Sequence, residues 1–177
     1  IAILIVSAIS MIICNRGKVA EIFCPIFTFQ LSVPLFPLIN LSFDIENSNQ
    51  MSYLAMLFSQ IAKLEQEFNS FIVRPLYIHP DHFNLDILPV MKSSKCFVPY
   101  FDIPFQSGDD KIIKLMNRVG SGADYLNLVN NIKSYFPEAA IRTTFLVGFP
   151  GETDESFENT CDFVEKIKPM WSGCFSY

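Results

Sequence analysis

The order of elements predicts an α/β fold, a partial (β/α) barrel that is incomplete at its N-terminal side. Three observations carry that expectation. From residue 40 onward, short β-rich runs alternate with apolar stripes at helical spacing, and turn signals fall between them. Half of the 177 residues are apolar, enough for a sizeable core in a chain of one-domain length. Alternating strands and helices imply parallel pairing through right-handed crossovers, and in barrels of this kind the chemistry sits at the C-terminal ends of the strands.

Residues 1–39 do not share that order. Residues 1–13 are almost unbroken apolar sequence, but shorter than the ~20 residues a membrane helix needs. The charge-free stretch 22–41 is interrupted by Pro25, Pro34 and Pro37, each of which fixes φ and removes a backbone donor. No basic region precedes the apolar run, so a signal peptide does not fit. Neither a membrane partner nor a leader is expected. The segment 1–39 reads as degraded or frame-shifted coding sequence, and the chain as a piece of a longer product.

Strands are expected near 38–43, 71–78, 99–105, 139–147 and 171–177. A helix over 52–68 follows from Leu54, Leu57, Phe58, Ile61, Leu64 and Phe68. A short helix over 84–91 is expected despite Pro89, and another over 109–117, whose opening acids suit the positive end of its dipole. Ser121 and Asp124 form a capping box ahead of a stripe of Tyr125, Val129, Ile132 and Phe136. A last helix over 153–168 is expected to bury Phe157, Thr160, Cys161, Val164 and Ile167. A missing first strand would leave an exposed edge near residue 40, which invites aggregation.

Several function classes are disfavoured by composition. A net charge of −5 gives no surface for phosphate backbones, so direct binding to nucleic acid is not expected. The five cysteines, at 14, 24, 96, 161 and 174, form no C-x-x-C cluster and no even disulfide set. No metal ligands are therefore assigned from spacing. His79 and His82 flank Asp81 just past a strand, and the simplest account is a turn stabilised by Asp81 rather than a metal site. For Met116, Asn117 and Arg118, a helix end with Arg118 near the last carbonyls is sufficient.

The strand ends carry the chemistry-bearing residues. Gly148-Phe149-Pro150-Gly151 followed by Glu152 is a tight strand-to-helix turn in which glycine lets the backbone approach a ligand. Asp102 and Gln106 share one strand face, and Arg142 and Thr144 share another. Polar groups buried there cost about 1–3 kcal/mol each if unpaired. Either a ligand or pairing between the two strands satisfies them.

Three segments, in this order and spacing, resemble the methylthiotransferase branch of the radical S-adenosylmethionine (SAM) enzymes. They are Tyr100 through Gly108, Met116-Asn117-Arg118, and Ala140 through Thr153. Asp102-Ile103-Pro104 and Ile141-Arg142-Thr143-Thr144 are closer to the RimO-like enzymes that modify a ribosomal protein than to the tRNA-modifying ones, and the segments Tyr77 to Pro80 and Trp171 to Phe175 agree. The resemblance covers 71–177, with a weaker echo at Asn40 to Asp44. It implies a partial barrel of the radical SAM type over 40–177, SAM and a [4Fe-4S] cluster as cofactors, and a cytoplasmic enzyme. The implied reaction methylthiolates the β-carbon of an aspartate in the twelfth small-subunit ribosomal protein. Carried over to this chain, it assigns Gln106, Ser107, Arg142, Thr144, Gly148 and Glu152 to SAM. The family's C-x-x-x-C-x-x-C cluster motif is absent from this sequence. An inactive remnant and a tRNA methylthiotransferase are the alternatives.

Overall fold

The computed structural model describes residues 10–15, 18–23, 53–67 and 71–177. The strands are β1 (Ser10–Asn15), β2 (Lys18–Phe23), β3 (Phe71–Leu76), β4 (Tyr100–Asp102), β5 (Ala140–Val147) and β6 (Trp171–Ser176). The helices are α1 (Tyr53–Glu67), α2 (Ile87–Ser93), α3 (Asp110–Leu115), α4 (Gly122–Tyr135) and α5 (Asp154–Ile167). Two three-stranded sheets form, in the orders β2-β1-β3 and β4-β5-β6. The chain divides into two compact units, Ile1–Arg74 with Asn84–Val98, and Pro75–Phe83 with Pro99–Tyr177.

In the first unit β1 and β2 pair antiparallel, closing on Asn15 opposite Lys18. The sequence predicted no strands here. The runs are short, and near-continuous apolar sequence hides the two-residue alternation that marks a half-buried strand. The expected strand at 38–43, and the exposed edge attributed to it, lie outside the described residues. Helix α1 buries Ala55, Phe58 and Ile61, a single face at helical spacing. Phe58 stacks on Phe97 with centroids 5.0 Å apart. Helix α2 starts three residues later than expected, so Pro89 falls in its first turn, where its missing N–H costs nothing.

In the second unit β4, β5 and β6 are parallel, as the alternation predicted. Strand β4 is short because Pro104 interrupts it, yet Ile103 and Gln106 still donate to the Arg142 and Thr144 carbonyls of β5. The odd-numbered positions Phe101, Ile103, Phe105, Ile141, Thr143 and Phe145 are buried. They meet the helices: Phe105 packs on Tyr125 of α4 and on Phe163 of α5, with ring centroids 5.3 Å apart in both pairs. Burying each such aromatic side chain contributes about 1.5–3 kcal/mol. Tyr100, Asp102, Arg142, Thr144, Leu146, Trp171, Gly173 and Phe175 lie on the other face in register.

Helix α5 buries Thr160 and Ile167 as expected, but the rest of its stripe differs. Ser156, Thr160, Phe163 and Ile167 are buried, whereas Phe157 and Cys161 are exposed. Thr160 bonds the Ser107 hydroxyl and accepts from the Gly108 N–H, and Ser156 bonds the Thr153 hydroxyl, partners that hydrophobicity does not reveal. The capping box at Ser121 and Asp124 is formed, with both reciprocal bonds present. Among the described residues, no helix is long and apolar enough to cross a membrane.

Candidate functional site

Left-handed backbone marks the C-terminal ends of three strands: Tyr77 (φ 56°) after β3, Gln106 (φ 69°) after β4 and Gly148 (φ 75°) after β5. Two of these are not glycine, and such strain persists only where surrounding bonds hold it. Gln106 is held on both sides, its N–H donating to Thr144 O at 2.8 Å and its carbonyl accepting from Leu146 N at 2.9 Å. Its side-chain amide has no partner among the described residues. Thr144 lies on the open face of β5, and its hydroxyl likewise has no partner among the described residues.

The Gly148–Glu152 turn is closed from within. The Gly148 N–H donates to Glu152 Oε2, and the Glu152 N–H donates to the Phe149 carbonyl. Glu152 Oε1 is buried with no hydrogen-bond partner among the described residues. A Cβ placed on Gly148 would meet no atom within 4 Å, so the turn faces open space. An orphaned carboxylate oxygen beside an open, exposed backbone is a donor-seeking arrangement that hydroxyls of a nucleoside satisfy.

Ser107 is placed differently. Its side chain is fully buried, paired with the Thr160 hydroxyl at 3.1 Å and accepting from the Asp109 N–H at 3.1 Å. It ties the loop to α5 instead of facing the open side. Asp109 caps α3, accepting from Lys111 N and Ile112 N, and receives Asn159 Nδ2 at 2.8 Å. Burial raises the Asp109 carboxyl, but these donors outweigh it and hold its pKa below the ordinary value.

Arg142 and Asp102 form a cross-strand ion pair, Nη1 to Oδ2 at 2.8 Å, with side-chain exposures of 37% and 2%. The two positions whose residues distinguished the ribosomal-protein branch in the sequence are thus one interaction. The Asp102 charge, foremost, holds the Arg142 pKa above its ordinary value, and the Tyr77 side chain adds to the effect. The sequence named Tyr77 only within a resembling segment and gave it no site role; its left-handed φ is what marks it.

Asp81 does more than order its own turn. Its Oδ1 accepts from the Tyr125 hydroxyl at 2.6 Å and the Gly120 N–H at 3.3 Å, and its Oδ2 from the Val119 N–H at 2.9 Å. It therefore latches the turn after β3 to the loop after α3. Burial, then the bond to Asp81, pushes the Tyr125 pKa up to about 12. His79 is lowered, chiefly by burial and then by Arg118. Arg118 does not cap its own helix as expected: Nη1 donates to Pro104 O at 3.0 Å. The helix end is closed instead by backbone bonds from Asn117 and Arg118 to the Lys114 and Ile113 carbonyls, with Asn117 left-handed.

No group of three His, Cys, Asp or Glu that could hold a metal exists among the described residues. Cys96 is buried, while Cys161 and Cys174 are exposed on α5 and β6. Cys96, Cys161 and Cys174 therefore do not fit a [4Fe-4S] cluster, whose ligation takes several thiolates converging on one site.

A parallel sheet with polar groups at its strand ends fits a partial α/β domain of the barrel type. The profile of the Radical SAM superfamily matches residues 48–164, and the chain belongs to that superfamily. It is 51% identical over 145 residues to the ribosomal protein uS12 methylthiotransferase RimO of Treponema denticola, covering 78% of this chain and 30% of the relative. The RimO of Pseudothermotoga lettingae is 42% identical over 123 residues, 70% of this chain and 29% of the relative. That of Thermotoga maritima is 44% identical over 107 residues, 60% of this chain and 25% of the relative. The chain thus spans 25–30% of the length of these curated relatives.

Proposed function

We propose that this chain is the SAM-side part of a cytoplasmic radical SAM methylthiotransferase whose substrate is the small-subunit ribosomal protein uS12. The observation that carries the reading is the 51% identity to a uS12 methylthiotransferase over 145 residues, with the strand ends that resemble the family lying on the open side of one sheet. Gln106, Thr144, Gly148 and Glu152 hold the nucleoside and amino-acid parts of SAM, through the amide, hydroxyl and carboxylate oxygen that have no partner among the described residues and through the open backbone of the turn. Arg142 contributes positive charge on the same face. Ser107 supports this set from behind, since its hydroxyl is used by Thr160 and Asp109.

Bound SAM supplies a sulfonium whose reductive cleavage takes an electron from an iron–sulfur cluster. Cys96, Cys161 and Cys174 do not assemble that cluster, so this chain's residues are assigned binding and orientation only. Anaerobic reconstitution of the 177-residue chain with iron and sulfide tests this limit. The expected result is no absorption near ~400 nm and no SAM cleavage; a cluster that forms and cleaves SAM would sink it. S-adenosylhomocysteine binding should weaken in Gln106→Ala and Thr144→Val, and unchanged affinity in both would remove the site assignment. Mass spectrometry of uS12 and of tRNA from a strain lacking the gene decides the substrate. Loss of the tRNA modification with uS12 intact would favour the tRNA-modifying alternative.

A further inference from the structure

Among the strand-end groups, Arg142 has a second feature that cofactor binding leaves unexplained. Only Nη1 engages Asp102, which is itself 2% exposed, while the Arg142 side chain remains 37% exposed. A buried carboxylate beneath an arginine fixes the guanidinium plane and leaves the other donors of the fork available. Tyr77, just past the end of β3, also favours the charged guanidinium. Its own φ of 56° is strained for a bulky residue, and its ring is 56% exposed. The register sets Trp171, which is 72% exposed, beside Arg142 on the open face. An oriented, partly exposed guanidinium thus has an exposed Trp171 beside it in register and an exposed Tyr77 in its electrostatic neighbourhood.

A fork of this kind recognises planar two-oxygen anions bidentately. Carboxylate and phosphate both qualify, and charge decides between them. A phosphate backbone is held by several cations together. Here the register neighbours of Arg142 are Asp102 and Trp171, and the chain carries a net charge of −5. One cation already half-neutralised by Asp102 suits a single carboxylate on a peptide, with the aromatic side chains covering its apolar stem. We propose that Arg142 is the receptor for an acidic side chain of the acceptor polypeptide, with Asp102 and Tyr77 as positioning residues. This deepens the reading above, and it rests on the acceptor being a protein that enters at the strand ends.

The test uses the whole 177-residue chain, a short peptide bearing one aspartate and the same peptide with asparagine, titrated by calorimetry or NMR. S-adenosylhomocysteine is titrated in parallel. The aspartate peptide is expected to bind roughly tenfold more tightly than the asparagine peptide, the scale of a charge-assisted pair. Arg142→Gln should abolish that preference, Arg142→Lys should lose most of it because the fork is gone, and Tyr77→Phe should lose part. Should Arg142→Gln fail to fold, as judged by circular dichroism, the lysine and phenylalanine variants carry the test. A preference that survives these substitutions, or that the unsubstituted chain never shows, overturns the proposal. So does a fall in S-adenosylhomocysteine affinity while the peptide preference stands, which would give Arg142 to the cofactor's carboxylate. Failure of every variant to bind S-adenosylhomocysteine would instead count against the cofactor reading, and the peptide arm would still be readable.

Discussion

Replacing Asp81 with asparagine tests the latch between the turn after β3 and the loop after α3. Asp81 accepts three hydrogen bonds, at 2.6 Å from the Tyr125 hydroxyl, 2.9 Å from Val119 N and 3.3 Å from Gly120 N. Asparagine keeps one carbonyl oxygen, so donors on the other arm meet an NH2 group. Hydrogen bonds to a charged group contribute about 1.5–3 kcal/mol each, and a buried donor left unpaired costs about 1–3 kcal/mol. Tyr125 is buried whereas Val119 is exposed, so solvent replaces part of what is lost. The expected destabilisation is about 2–3 kcal/mol at neutral pH, read from urea unfolding midpoints at constant slope.

The pH dependence supplies the sign. Burial alone would raise the Asp81 pKa, but the Tyr125 hydroxyl, the Val119 and Gly120 amides and the His79 charge bring it below its ordinary 3.8. A depressed folded pKa means that the unfolded chain takes up the proton first. The carboxylate's contribution is therefore complete above the unfolded value and is lost as pH falls through the folded one. The gap between the unsubstituted chain and Asp81→Asn should stay constant from about pH 5 to 8 and narrow below about pH 4. A gap under about 0.5 kcal/mol at neutral pH, or one that does not narrow in acid, would refute the latch.

Other outcomes follow from the same geometry. Gly108→Ala should destabilise more than Gly148→Ala, because the new Cβ lies 2.3 Å from Phe163 Cβ at the first site and meets nothing within 4 Å at the second. Overpacking costs about 1–3 kcal/mol or more, against about 1–2 kcal/mol for holding alanine at positive φ, and thermal melts compare the two. Thr153→Ala removes the cap that accepts from Ser156 N at 3.2 Å and should cost about 0.5–2 kcal/mol by the same measurement. Among Cys96, Cys161 and Cys174, the exposed Cys161 and Cys174 should react with maleimide in the native state. Cys96 should react only on unfolding, since it is 2% exposed and burial raises its thiol pKa. Peptide mapping of the labelled chain reads this directly.

Much of the second unit was legible because local rules and tertiary packing agree there. The Ser121 capping box, the α4 stripe and the parallel β5 and β6 came through within a residue or two, since spacing alone specifies which face is apolar. The buried face of α5 did so only in part. Thr160 and Ile167 are buried as expected, but Phe157 and Cys161 are exposed and Ser156 is buried in their stead, bonded to the Thr153 hydroxyl. The pairing of β1 with β2 was also invisible, because unbroken apolar runs carry no period.

Within the candidate site, the sequence by itself determined the family and the residue types at the strand ends, because short motifs at set spacing survive independently of what packs around them. It could not decide which of those side chains are free. Only the tertiary structure turned Ser107 inward onto Thr160, paired Arg142 with Asp102, left the Gln106 amide and Glu152 Oε1 without partners among the described residues, and gave Tyr77 its left-handed φ. Hydrogen-bond satisfaction here depends on residues 40 and 53 positions apart, and no local pattern encodes that.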